Sequence, residues 1–217
     1  MTPYEDIRRY LPQYLSQTET TELLREIDQE FPAIHPTRMF TTKYTVEQVI
    51  YQGDGVTGLL YVHLPNTKIA PYNCMVFSNT CDIDLENTSF VPPTICYAPI
   101  IRLDRLRDAL AETGQWKPEQ IETRLEAIRK QRITTAFYLP RGGKLENESV
   151  VLMDRICHCD SNSVLRKEIP ERRLFTLSQV GAYLFFFKLS VHFLRMTDKV
   201  VRSTNSSAES SDYSVSP

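Results

Sequence analysis

Hydrophobic and polar positions change their period several times along this chain, and each change marks a predicted element. Between Ser16 and Phe31, Leu23, Leu24, Ile27 and Phe31 recur at helical spacing behind cap-type Ser and Thr residues. The spacing predicts helical structure within residues 1–33, ended by Pro32 and Pro36. Residues 38–64 read as short strand-like pieces, in which Tyr44, Val46, Val49, Ile50 and Tyr51 lead to the turn Gly53-Asp54-Gly55 and a strand over Leu59–Leu64. Apolar runs predict further strands at Cys74–Ser78, Thr94–Ile101, Thr134–Leu139 and Ser149–Cys157. A charged helical insertion over 104–131 interrupts them. It divides near Gly114 and Pro118, and its second half carries Ile121, Leu125 and Ile128 at helical spacing.

The longest apolar feature runs from Phe175 to Val201, with Thr176 or Ser178 as its cap and a helix expected over 176–200. A membrane span needs about 20 apolar residues. Lys188 and His192 break this run, so a buried core helix is the first reading, a homodimer interface the second, and no membrane association is expected. The tail from Ser203, STNSSAESSDYSVSP, is polar and is expected to be disordered. The division read from the pattern is an N-terminal helical extension (1–37), a main domain (38–202) and the tail (203–217). The order of elements predicts an α+β fold centred on a small, strongly bent antiparallel sheet or barrel.

Composition adds mainly exclusions. With 217 residues and 41% hydrophobic side chains the chain can bury a full core. A net charge of −2 lacks the basic surplus of a general phosphate binder. The first residues, MTPYEDIRRYLPQYL, contain no apolar core of a secretory signal. Five cysteines without framework spacing read as reduced thiols, and the expected location is cytoplasmic.

Candidate chemistry collects where the strand Cys74–Ser78 ends. Asn79, Thr80, Cys81, Asp82 and Asp84 bring nucleophilic, acidic and hydrogen-bonding groups to one turn. Asn79 closes such a turn most simply with its own side chain, and Asp82 and Asp84 accept backbone N–H groups. Used catalytically, Cys81 or Asp82 would need a partner such as His158 or Arg155 supplied by folding. Cys157 and Cys159 share one strand face with His158 on the other; two thiols at this spacing lack the knuckle pattern of zinc sites and need further ligands. Buried apolar cysteines are the preferred reading, and no cofactor is expected. The Arg141-Gly142-Gly143-Lys144 turn permits backbone approach to an anion, and Arg141 and Lys144 are its binding candidates.

Several of these segments, in their order, resemble the MazF/PemK toxin barrel, an SH3-like endoribonuclease fold. Gly53-Asp54-Gly55 with the strand to Leu64-Pro65 resembles the family's opening strand, and Val76-Phe77-Ser78-Asn79-Thr80 its apolar strand and turn. Ile95–Ile100 resembles its next strand and Val150–Ile156 its last. The resemblance covers roughly residues 50–101 and 133–195. It implies a bacterial or phage toxin, antitoxin or defence setting. The family's catalytic Arg and Thr positions fall here on Tyr72 and Ile101, which supply neither a proton acceptor nor a cation. The expectation is therefore a non-catalytic interaction module for a protein or nucleic-acid partner, using Asn79–Asp84 and Arg141–Lys144. The alternative is a metal-independent RNase or other phosphodiesterase with a relocated set of Asp82, Arg155 and His158.

Overall fold

The computed structural model describes residues 36–194 apart from Leu64, Asn66, Thr88 and Ser89. The expected N-terminal helices, the polar tail and the end of the last helix lie outside the described residues. The fold is α+β. Eight strands form one antiparallel sheet: β1 (Phe40–Thr41), β2 (Gly55–His63), β3 (Lys68–Val76), β4 (Thr94–Arg102), β5 (Ala136–Leu139), β6 (Ser149–Leu152), β7 (Cys157–Asp160) and β8 (Arg173–Leu177). Their order across the sheet is β1-β8-β2-β3-β4-β6-β5, with β7 also on β4. The helices are α1 (Leu103–Glu112), α2 (Pro118–Arg129), the single turn α3 (Ile169–Arg172) and α4 (Gln179–Leu194).

The alternation along β3 and β4 explains the layering. Met75, Phe77, Ala98 and Ile100 face α4, where they pack with Leu184 and Phe185. Cys74, Val76, Ile95 and Tyr97 face the other way into a second core with Ile50, Val56, Leu59, Ile83 and Ile169. Towards β5 and β6 that second face is covered by α1 and α2, through Leu103, Ile121, Leu125 and Ile128 against Ala136 and Val150. The sheet bends strongly at the β2–β3 end. The Tyr97 hydroxyl on β4 donates to the Leu60 carbonyl of β2 at 2.5 Å, with β3 lying between the two strands in the sheet.

Several boundaries differ from the sequence pattern. Lys68–Asn73 joins β3 although its exposed, proline-containing composition interrupts the apolar run; these residues form the outer half of a ribbon with β2. The strand expected over Ser149–Cys157 is two strands, β6 and β7, because Met153-Asp154 turns between them, and both pair with β4. Of the strand-like pieces before Gly53, only Phe40–Thr41 is strand; the rest is turn and irregular backbone. Ser178 rather than Thr176 caps α4, its Oγ accepting from the Gly181 N–H at 3.1 Å. Among the described residues no helix is long and apolar enough to cross a membrane.

The helical segment between β4 and β5 has a topological role. Both strands pair antiparallel with β6, so they run parallel to one another with β6 between them. Such strands cannot be joined by a tight turn, and α1 and α2 form the crossover.

Candidate functional site

The turn after β3 is built as an ordinary closed loop. The Asn79 side chain accepts from the Cys81 N–H at 2.9 Å, and Asp84 Oδ1 accepts from the Glu86 N–H at 3.0 Å. Thr80 Oγ1 accepts from the Gln52 N–H at 3.0 Å, tying the turn to the segment before β2. Ile83 is buried beneath it, and its carbonyl receives Arg166 at 2.8 Å and Ser161 at 2.7 Å. Cys81 and Asp82 are exposed, and the Asp82 carboxylate makes no bond among the described residues.

His158 and Asp160 point outward from β7, whereas Cys157 and Cys159 turn inward against Cys74 and Tyr97. Burial, followed by the neighbouring Cys157 and Cys159 thiols, pushes the Cys74 thiol up to about 12. Such a thiol is a packing group rather than a nucleophile. Among the described residues no group of three or more His, Cys, Asp or Glu side chains is placed to hold a metal ion, so the Cys157–Cys159 pair gains no completing ligands. Arg155 stands beside the Tyr61 hydroxyl and lessens the rise that burial imposes on it. No hydrogen bond or ion pair joins Asp82, Arg155 and His158 among the described residues. All three side chains are exposed.

Arg141-Gly142-Gly143-Lys144 is a tight turn closed by reciprocal Gly142–Leu145 backbone bonds of 3.1 and 2.9 Å. Lys144 Nζ donates to the Glu171 and Pro170 carbonyls at 2.7 and 3.3 Å. Arg141 is exposed and makes no hydrogen bond or ion pair among the described residues. It lies on the rims of two clefts. The smaller, about 200 Å³, also carries Arg129 and Glu148. There Arg129 grips Glu148 with bonds of 3.1 Å from Nε and Nη2, and the Tyr138 hydroxyl donates to the same carboxylate at 2.5 Å. Burial pushes Glu148 up, but the Arg129 and Tyr138 bonds outweigh it and hold the carboxyl below its usual range. This triad fastens α2 to β5 and to the start of β6.

The surface that sequence reading missed is the outer half of the β2–β3 ribbon. β8 pairs with β2 only at Gly55 and Val56, and β4 with β3 only at Cys74–Val76, so Leu59–His63 and Lys68–Tyr72 project as a two-stranded ribbon. Leu60 opposes Pro71 and Val62 opposes Ile69 on one face. Leu60 is 56% and Ile69 62% exposed. On the other face Tyr61 meets Tyr72 edge-on at 5.3 Å. The signal was present in the sequence: from Gly55 to Cys81 there is no Asp or Glu.

No protein-family model and no curated protein matches the chain.

Proposed function

We propose that this chain is a non-catalytic protein-interaction module, a repurposed SH3-like barrel of the MazF/PemK type, that holds its partner on the outer face of the β2–β3 ribbon. The observation that carries this reading is the pair of adjoining cross-strand pairs Leu60–Pro71 and Val62–Ile69, aliphatic and, but for half-buried Val62, turned to solvent. A contiguous exposed apolar patch marks an interaction surface. Aliphatic side chains neither stack on bases nor pair with phosphates, which favours a protein over a nucleic acid. The basic groups His63, Lys68 and Arg155 lie with Tyr61 on the opposite face, so the docking face itself carries no charge and the matching surface is apolar. Pro71 supplies no N–H for a further strand, which favours docking on the face over pairing at the β3 edge. The toxin-like resemblance and the reduced thiols suit a cytoplasmic role in a bacterial or phage defence setting.

The test combines two assays. A photo-crosslinking residue at Ile69 should give discrete protein adducts in the host cell that disappear in Leu60→Glu, while the same residue at exposed Phe90 should not. Equal adducts at both positions, or adducts indifferent to Leu60→Glu, would remove the ribbon from consideration. A metal-free assay on a mixed RNA pool should show no cleavage by wild type. Cleavage lost in Asp82→Ala or His158→Ala would replace this reading with the relocated nuclease.

A further inference from the structure

We propose that the cleft between β1 and the Arg141–Lys144 turn binds a small aromatic anion. The cleft encloses about 430 Å³, within the range of small-ligand sites. Its floor is the half-buried Phe40 ring, backed by the buried Phe175 ring 4.7 Å away at 41°. A planar group laid against Phe40 would bury apolar surface and meet its ring edge or face at a favourable angle.

The charges around this floor have one sign. Among the described residues the charged groups lining the cleft are Arg141, Lys144 and Arg173, with no carboxylate. They differ in how far they are spent. Arg173 is neutralised by Asp54 at 3.1 Å. Lys144 meets only carbonyls, which solvate its charge without cancelling it. Arg141 makes no hydrogen bond or ion pair among the described residues, although Glu148 of the neighbouring cleft feels its charge, and it presents a planar fork suited to an oxyanion. Threonine hydroxyls complete the rim; Thr45 is committed to the Thr42 carbonyl at 3.1 Å, but the Thr42 hydroxyl has no partner among the described residues.

The two glycines form the wall that keeps the cleft's shape. A Cβ on Gly142 would meet the Phe40 ring at 2.5 Å, and one on Gly143 would collide with the Leu174 carbonyl. Gly143 also has φ of 57°, which favours glycine. The turn can thus pack against the Cδ2–Cε2 side of the Phe40 ring and deliver its flanking cations to the rim. An aromatic body with one anionic substituent matches both halves of the site: ring on floor, charge at Arg141.

The experiment is a titration of the full chain with phenyl phosphate, inorganic phosphate and phenol, followed by calorimetry and backbone amide shifts. Phenyl phosphate should bind at least about tenfold more tightly than either fragment and shift Thr42 and Gly143 amides. Arg141→Ala, which removes no internal bond, should weaken phenyl phosphate by about tenfold or more. Thr42→Trp, a filling change at an exposed rim position, should abolish its binding while leaving weak inorganic phosphate binding in place. Equal affinity for inorganic phosphate would reduce the site to a bare cationic patch and overturn the proposal. Equal affinity for phenol, no effect of Arg141→Ala, shifts confined to other regions, or no binding by folded wild type would overturn it as well.

Discussion

Arg173 and Asp54 form an ion pair inside the protein, Nε to Oδ2 3.1 Å, with their side chains 2% and 0% exposed. The guanidinium also donates to the Tyr44, Glu47 and Val49 carbonyls, so one side chain fastens the irregular 44–49 segment to β8 and to the turn before β2. Burial raises the Asp54 carboxyl, and Arg173 opposes that rise without cancelling it. Removing one partner of such a pair leaves a desolvated charge and costs about 3–5 kcal/mol. Arg173→Met is expected to lose stability of that order at pH 7 by denaturant unfolding. A carboxyl raised by folding binds its proton more readily in the native state, so the mutant's deficit should shrink as the pH falls towards 5. A deficit independent of pH would mean that the carbonyl contacts, not Asp54, dominate.

Lys188 is the second buried cation, and no carboxylate faces it among its partners. Its ammonium donates to the Ile133, Gln131 and Ala136 carbonyls and to Gln131 Oε1, with distances of 2.8 Å to Ile133 and 3.1 Å to the Gln131 carbonyl. Burial lowers it to about 8. Between that value and the ordinary lysine range of about 10.5 the unfolded chain binds the proton and the folded chain does not. The wild-type advantage over Lys188→Met should therefore grow as the pH rises from 8 to 10, by about 2 kcal/mol. Paired unfolding curves across that range check it; a flat difference would place the native lysine near its ordinary range.

Gly181 sits inside α4, where alanine ordinarily adds up to about 1 kcal/mol of helix stability. Here a Cβ would collide with the Met39 carbonyl, the same carbonyl that accepts from the Ser178 N–H at 2.9 Å. The obstacle is backbone, and the collision is expected to win. Gly181→Ala should lower the melting temperature, with a net loss of about 1–2 kcal/mol. A rise would show that the Met39 segment gives way freely.

Alkylation separates the thiols. All five cysteines are free; Cys81 is exposed and Cys74 buried. With its thiol held up to about 12, Cys74 should react at pH 8 on the order of 10³-fold more slowly than Cys81 or slower still, until the protein unfolds. Mass spectrometry of briefly alkylated protein distinguishes the two; early modification of Cys74 would mean that the second core opens readily.

What the sequence made legible follows from periodicity. Ile121, Leu125 and Ile128 do form the buried face of α2, and Asn79 does close its own turn. β4 was recognisable because both its faces are buried, leaving an unbroken apolar run. Half of the outer ribbon was recognisable, since the strand expected from Leu59 is there in β2; the Lys68–Asn73 half was not, because Lys68, Pro71 and Asn73 break the alternation that a half-buried strand would show. Pairings between distant polar groups were equally hidden. Nothing local in Asp54, Glu148 or Lys188 announces Arg173, Arg129 or Gln131 as the partner. Gln131 is the extreme case: with φ of 55°, its side-chain amide both donates to and accepts from the Tyr138 backbone, at 2.9 and 3.1 Å, and so completes the exposed edge of β5.

The parallel course of β4 and β5 on either side of β6 sets a limit on shortening this chain. A decorative excursion can be trimmed back to its stem, but the segment through α1 and α2 has no stem, because its two ends belong to strands separated by a third. Its outward-facing residues are open to exchange, but any replacement must also cover Ala136 and Val150 as Leu103, Ile121, Leu125 and Ile128 do. Its span is fixed by the width of one intervening strand and by the need to run back from the end of the sheet where β4 stops to the opposite end, where β5 starts.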